Sequence, residues 1–582
     1  MLGAIAYLWP YLSRYRRQLL LGLGALVMKD VLAASIPLVL RYAIDAITAG
    51  SAFSTILWFA VGLLVLSAIK GLFQYWMRLI IIGVSRDVEY DLRNDILAHL
   101  VTLSRDFYAR FPTGDIMARS TNDLNAVRMM AGPGLMYWTE TILTFILAFS
   151  VMASVDPPLT FAALAPAPVI SLLVVFYGRR IHARFEEIQA VFSSISNRVQ
   201  ESISGMRLLR AYVQGDAECR RFEQLNQHYI RRNLDLVRST GAFEPLLHAM
   251  IGIAFLIVLW VGGARLLEGK ISLGSFVMFQ TYMGMLIWPM IAMGWVINLM
   301  QRGTASLGRI REMLNVAPSI AAPASPVALP EPLEGRIVFT DVILSYGAGN
   351  ALSGVSLCIE PGETVAIVGH TGAGKSSVVQ LVPRLLDPTS GTVTIDGTDV
   401  REYDPAALRR QISIVPQETF LFSMTLRENI SFGSPNATEE QIQQAVRVAG
   451  LETDLDSFPM GLDTVIGERG ITLSGGQRQR TAIARAVLRD PRILILDDAL
   501  SSVDTLTEER ILMELSRIMA GRTTLLISHR VSTIRYADRI IVLDHGSVAE
   551  EGTHQDLLSK GGYYAQLVRR QQLEEELEAD VA

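Results

Sequence analysis

Gly369-His370-Thr371-Gly372-Ala373-Gly374-Lys375-Ser376 is the stretch of this 582-residue chain whose chemistry is plainest. Glycines at these positions let backbone N–H groups curl around the β- and γ-phosphates of a nucleotide, and Lys375 adds a point charge there. Ser376 offers a hydroxyl to Mg²⁺, and the N-terminus of a following helix favours the anion. The loop follows the apolar run 364–368 and precedes a helical run over 377–386, whose first residue, Ser377, is counted with the nucleotide-binding set. A second carboxylate element lies downstream: the apolar run 493–496 ends in Asp497, which such a strand presents to the metal. ATP with Mg²⁺ is the ligand these residues suit.

The surrounding chain must hold these groups in place. From residue 336 onward, β-rich runs at 337–339, 364–368, 412–415, 493–496, 523–527 and 539–543 alternate with helical patterns. That alternation predicts an α/β domain with a largely parallel sheet over 336–582. Before it, Pro318, Pro323, Pro326, Pro330 and Pro332 mark 316–335 as a semi-rigid extended linker.

Residues 1–315 are different in kind. Apolar, weakly charged runs near 18–42, 54–82, 134–154, 158–178, 245–264 and 274–300 each approach or exceed the ~20 residues a helix needs to cross a bilayer. Six arginines lie between Arg86 and Arg128 and eleven between Arg179 and Arg238, while 43–53 and 155–157 carry no basic residue. The positive-inside rule therefore puts both termini and both long loops in the cytoplasm of a multi-pass inner-membrane protein. Apolar residues recur at three and four through 191–204 and 206–222, so the spans continue as helices beyond the bilayer. Residues 1–15 are apolar and aromatic without a small-residue cleavage site, which predicts an interfacial helix.

Composition closes off several classes. Half the residues are hydrophobic, which argues against a wholly soluble or a disordered chain. The net charge of −5 gives no nucleic-acid signature, and Cys219 and Cys358 are too few for a disulfide framework or a zinc site. That charge is an average: residues 1–335 carry +6 and residues 336–582 carry −11.

Between the phosphate loop and Asp497 stands Leu473-Ser474-Gly475-Gly476-Gln477, which resembles the signature motif of the ATP-binding-cassette (ABC) transporters. With it the whole chain resembles a half-transporter of the exporter type. The implied fold is a six-helix α transmembrane domain (type I ABC exporter fold) plus an α/β P-loop nucleotide-binding domain with a helical subdomain. The signature precedes a helical run, so it reads as a second anion-binding helix N-terminus with nothing of its own to bind. In the family it closes over the ATP of an opposite cassette. Other positions are similar to family residues: Tyr346 to the aromatic that stacks on adenine, and Gln417 to the glutamine that senses Mg²⁺. Thr464-Val465-Ile466-Gly467-Glu468-Arg469-Gly470 is similar to the exporters' coupling loop, Ser501-Ser502-Val503-Asp504 to the D-loop, and His529 to the switch histidine.

One position departs from the pattern. After Asp497 the family has glutamate, which polarises the attacking water, and here it is Asp498. Aspartate is one methylene shorter, and a misplacement of about 1 Å can cost about 10²-fold in rate. The resemblance implies one half of an asymmetric heterodimeric exporter, slow at its own ATP site. The alternatives are a homodimeric lipid or peptide exporter and a mainly regulatory ATP-binding subunit. The implied partners are a second half-transporter, the lipid bilayer and a hydrophobic or amphipathic small molecule, with no nucleic acid. Phe111-Pro112-Thr113-Gly114-Asp115 and Ala211-Tyr212-Val213-Gln214-Gly215-Asp216 resemble the coupling segments. For substrate contact the sequence offers Lys29, Asp30, Arg78 and Glu140 at membrane depth. It also offers the aromatics and methionines Phe255, Trp260, Met278, Phe279, Tyr282, Met283, Met285 and Trp288, either as an adaptable pocket or as core.

Overall fold

The computed structural model describes residues 2–347, 349–467 and 473–581. It divides into two compact units, Met1–Val101 with Phe111–Val316, and Thr102–Arg110 with Ala317–Ala582.

Six helices of the first unit are long and apolar enough to cross a membrane: Arg16–Thr48, Phe53–Leu100, Thr113–Val155, Pro157–Ser204, Gly215–Leu267 and Leu273–Leu314. They are preceded by the helix Leu2–Arg14, where an interfacial segment was expected. Some buried charges of this unit pair with one another, which offsets the cost of a low-dielectric setting. Lys29 Nζ lies 2.7 Å from Asp30 Oδ1 and 2.5 Å from Glu140 Oε1, so the lysine bridges the two carboxylates, while Asp30 Oδ2 is buried without a hydrogen-bond partner among the described residues. Asp45 accepts from Ser272 Oγ and Gly274 N, tying the first span to the start of the sixth. Of the aromatic and methionine set, Met278, Phe279, Tyr282 and Met283 are core residues, while Trp260 and Trp288 are exposed. The third membrane helix contains two π-helical turns, Arg119–Asp123 and Met130–Gly134.

Helix breaks fall inside both expected coupling segments, at 111–112 and at 212–214, and further breaks precede them. The first interruption falls after Leu100, and a short helix, Arg105–Arg110, occupies the place ahead of the expected 111–115. Within the second unit its Arg105 donates to Gln380 Oε1 at 2.8 Å. In the other loop the short helix is Met206–Ala211, bounded by Gly205 and by the turn at 212–214. Pro112 sets one of these boundaries, because a residue without an N–H starts a helix more readily than it continues one.

Ten strands build the cassette among the described residues: β1 Ile337–Tyr346, β2 Gly349–Ile359, β3 Thr364–Gly369, β4 Ser390–Ile395, β5 Thr398–Asp399, β6 Ile412–Val415, β7 Ile493–Asp497, β8 Thr523–Ile527, β9 Arg539–Asp544 and β10 Ser547–Gly552. Six form a sheet in the order β10-β9-β3-β8-β7-β6, parallel except for β10. The largely parallel sheet expected from the sequence is this one. A four-stranded antiparallel sheet, β2-β1-β4-β5, accompanies it and was not expected. β3, β7 and β8 are buried at every residue, as central strands covered on both faces must be. A helical layer around Ile442, Val446, Leu462 and Ile483 packs on β6 and β7 through Val415, Leu494 and Leu496.

Candidate functional site

The strand order decides where the chemistry gathers. β3, β8 and β7 are neighbours, so the loops leaving their carboxyl ends meet above one edge of the sheet, where parallel sheets open a crevice. Those loops carry the phosphate loop, His529 and the Asp497-Asp498 pair, and the segment after neighbouring β6 adds Gln417. A cleft of about 260 Å³ there is lined by Thr371, Gly372, Gly374, Lys375, Ser376 and Ser377, with Gln417, Asp497, Asp498 and His529 opposite.

The loop is shaped by its glycines. Gly374 has φ +97°, and a Cβ there would sit 2.5 Å from the Ala351 carbonyl oxygen. Gly369, at φ +153°, would place a Cβ 2.2 Å from the Leu543 carbonyl oxygen. Only glycine fits either position without moving backbone. Gly374 gives the helix Lys375–Leu381 no side-chain cap, so the first N–H groups of that helix remain for an anion. Lys375 Nζ donates to the carbonyl oxygens of Gly369 and His370, both at 2.9 Å, which anchors the ammonium across the loop. Burial pushes this ammonium below its ordinary range, with Asp498 and Asp497 acting the other way. Burial likewise raises the Asp497 carboxyl, against the hydrogen bond from Ser376. Ala373 is buried in the core and His370 packs edge-on against Tyr563, so these two loop residues support the cradle.

Ser376 Oγ donates to Asp497 Oδ1 at 3.3 Å, and Gln417 lines the same cleft. A hydroxyl, a carboxylate and an amide carbonyl form an all-oxygen donor set, which fits Mg²⁺. Asp498 adopts φ +50°, a conformation that a short polar side chain tolerates better than most. Its N–H donates to the Ile527 carbonyl at 2.9 Å, and its carbonyl accepts from Gln479 Nε2 at 3.5 Å. The carboxylate is thereby held at the cleft from both sides of its own backbone.

The signature residues occupy a second helix N-terminus. Ser474 caps the helix Gly475–Leu488 in a reciprocal pair with Gln477, and Gln477 Nε2 also donates to Asp454 Oδ1. Leu473 is buried in the helical layer. Asp504 caps the helix Thr505–Met519 through Thr507 N. Neither Tyr346 nor the signature belongs to the lining of the cleft, and Tyr346 lies half-exposed at the end of β1. Of the expected coupling loop, Glu468, Arg469 and Gly470 lie outside the described residues.

Three contacts were not anticipated. Buried Gln479 donates to Ser501 Oγ and accepts from Ser502 N, both at 2.8 Å, binding the signature helix to the D-loop. Arg530, next to His529, donates to the Val503 carbonyl at 3.1 Å and pairs with Glu508. Gln571 accepts from Val531 N at 2.8 Å and donates to the His529 carbonyl, so the last helix holds the switch loop. Their partners are distant in sequence, and no local pattern marks them.

Fold and site together define an ATP-powered membrane transporter with its membrane and nucleotide-binding domains on one chain. Family models agree: "ABC transporter transmembrane region" matches residues 19–290 and "ABC transporter" matches 352–501. The chain is 38% identical over 577 residues, 98% of both sequences, to the probable multidrug resistance ABC transporter ATP-binding/permease protein YheI of Bacillus subtilis (strain 168). It is 34% identical to the multidrug resistance-like ATP-binding protein MdlA of Escherichia coli (strain K12), over 98% of this chain and 96% of that one. It is also 34% identical to the ATP-dependent lipid A-core flippase of Syntrophus aciditrophicus (strain SB), over 96% and 92%. A solved bacterial Atm1-family ABC exporter with ATP bound superposes with a TM-score of 0.80 at 26% identity, covering 96% of this chain and 98% of that one. The chain belongs to the ABC transporter family, as an exporter half-transporter. It is an ATP-hydrolysing, multi-pass inner-membrane protein whose nucleotide-binding domain is cytoplasmic.

Proposed function

We propose that this chain exports hydrophobic or amphipathic compounds as one half of a heterodimer, and that ATP held on its own Lys375, Ser376 and Asp497 turns over slowly. The observation that carries the reading is Asp498 in the place of the family's glutamate, beside an otherwise complete motif set. Names of relatives support the substrate class, since two refer to multidrug resistance and one to a lipid A-core flippase.

In this reading Lys375 and the loop N–H groups bind the β- and γ-phosphates, and Tyr346 stacks on adenine when the cassettes close. Ser376, Gln417 and Asp497 hold Mg²⁺, which neutralises phosphate charge and orients the terminal phosphoryl group. His529 contacts that phosphoryl group, and Asp498 reaches for the attacking water from a set-back position. The signature, from Leu473 to Gln477, completes the faster site on a partner that carries glutamate. Closure on two ATP molecules drives the membrane helices from inward-open to outward-open, and hydrolysis resets them.

The test is ATP hydrolysis by the purified chain alone and after co-purification with the half-transporter encoded beside it. Slow turnover alone and at least about tenfold faster turnover with the neighbour is expected. Full turnover and transport by this chain alone would overturn the heterodimer reading.

A further inference from the structure

The cytoplasmic end of the membrane unit holds a second cavity, of about 400 Å³, between the third and sixth membrane helices. Its third-helix wall runs from Asn122, within the first π-helical turn, to Met129, next to the second. A π turn inserts a residue into the helical ladder and is frequent at functional sites. Beside the cavity the two helices touch closely: a Cβ on Gly303 would lie 2.4 Å from Met130 Cβ. The cavity is therefore the opening left next to a tight crossing rather than slack between loose helices.

Its polar groups are unevenly committed. Asp123 is the acidic residue of the wall, and it is saturated: Oδ1 accepts from Ser306 Oγ at 2.9 Å and from Arg309 Nη2, and Oδ2 accepts from Arg309 Nε at 2.8 Å. Asn125 accepts from Arg128 through Oδ1, which leaves its NH₂ as the uncommitted group. Arg302 lines the cavity with no hydrogen bond or ion pair among the described residues. What remains to meet a ligand is a guanidinium and amide donors, with the local carboxylate already neutralised. Donor-rich surfaces of this kind select anions, and an arginine fork suits a planar carboxylate or a phosphate.

The opposite end is apolar. Met129 and Leu299 lie toward the membrane from Asn122 and Arg302, because the third helix enters from the cytoplasm and the sixth returns to it. Seven residues of helix separate Asn122 from Met129, roughly 10 Å. A ligand fitting both ends carries an anionic head at the cytoplasmic side and a chain directed into the membrane.

We propose that this cavity is a binding site for amphiphiles with an anionic headgroup, carboxylate or phosphate, with Arg302 as the recognising cation. The inference rests on the export reading and specifies a substrate class within it. Arg302 is the informative position because its replacement breaks no existing bond.

The experiment uses the full chain in phosphatidylcholine nanodiscs, titrated with the fluorescent fatty acid 11-(dansylamino)undecanoate. Arg302→Gln should weaken the probe about tenfold or more, the scale of one charge-assisted hydrogen bond, and Arg302→Lys should restore most of the affinity. Dodecyl phosphate should displace the probe, whereas dodecylamine and inorganic phosphate at equal concentration should not. Displacement by inorganic phosphate alone would reduce the site to a free-anion site and overturn the amphiphile assignment. Unchanged affinity in Arg302→Gln, or equal competition by dodecylamine, would overturn the proposal outright. ATP turnover of the co-purified dimer separates the two readings. If no amphiphile of any charge stimulates it while Arg302-dependent binding persists, the export reading fails and the site stands. Stimulation by amines or neutral amphiphiles with no binding of the anionic probe leaves export intact and removes this site.

Discussion

Two helices of the cassette begin at glycines, and they are built differently. The helix Lys375–Leu381 starts from a left-handed glycine without a side-chain cap, with a buried lysine, a serine and two aspartates around it. The helix Gly475–Leu488 starts from a serine that already caps it, and its glycines lie against the D-loop, where a Cβ on Gly476 would sit 3.0 Å from the Ser502 carbonyl oxygen. The first is a receptor whose charges and metal ligands come from its own chain. The second is a rigid presenting surface, braced by Gln479 and Ser502, with no charge of its own in the motif. In the proposed reading one helix end collects a nucleotide, and the other covers one.

Substitutions probe that contrast. The largest effect is expected at the receptor: Lys375→Ala should weaken binding of a fluorescent ATP analogue by about 10²-fold, the upper range for hydrogen bonds to a charged group. Unchanged affinity would break the assignment of that end. Asp498→Glu should raise phosphate release by this chain by about 10- to 100-fold, because it restores the reach of the carboxylate. Gln479→Leu removes two hydrogen bonds, to the exposed D-loop residues Ser501 and Ser502, and should lower stability by about 1–3 kcal/mol, read by thermal denaturation. Ser474→Ala should cost about 1 kcal/mol, since it removes one cap and no charge.

The smallest effect is in pH. Burial depresses the Lys375 ammonium, so the empty site gives up that proton below the ordinary lysine range near 10.4. The folded value lies under the unfolded one, so the burial penalty is present while the lysine is charged and is relieved as pH rises. A bound phosphate favours the charged form and reverses the shift. ATP affinity should therefore begin to fall on the alkaline side before free lysine titrates, as isothermal titration across that range would show. The signature, which is Leu-Ser-Gly-Gly-Gln, has no titrating group and contributes nothing to this profile.

Much of the receptor was legible because its logic is local. A phosphate loop, its strand and its helix occupy adjacent residues, and β7 announces itself as an apolar run ending in aspartate. Six membrane spans were legible for the same reason, each being one continuous segment. What escaped is non-local or masked by alternation. β2 and β4 alternate buried and exposed positions and carry glycines at bends, so within their antiparallel sheet only β1 left a run to find, at 337–339. Gln571 holds the His529 carbonyl from 42 residues away, and Gln479 grips Ser501 from 22, distances at which composition carries no signal. Leu473 and Asp504 belong to recognisable motifs, yet the structure uses one as core and the other as a helix cap. Motif membership located these residues without stating what they touch.

In the proposed heterodimer this chain's signature end serves a nucleotide held by another chain, while its own receptor is the slow one. The most direct measurement is ATP turnover by the co-purified dimer carrying either Ser474→Arg or Lys375→Ala in this chain. Ser474→Arg should lower turnover by more than about tenfold, because it obstructs the end that completes the fast site. Lys375→Ala should retain the larger share. The reverse pattern, with turnover lost on Lys375→Ala and preserved with Ser474→Arg, would contradict the heterodimer reading.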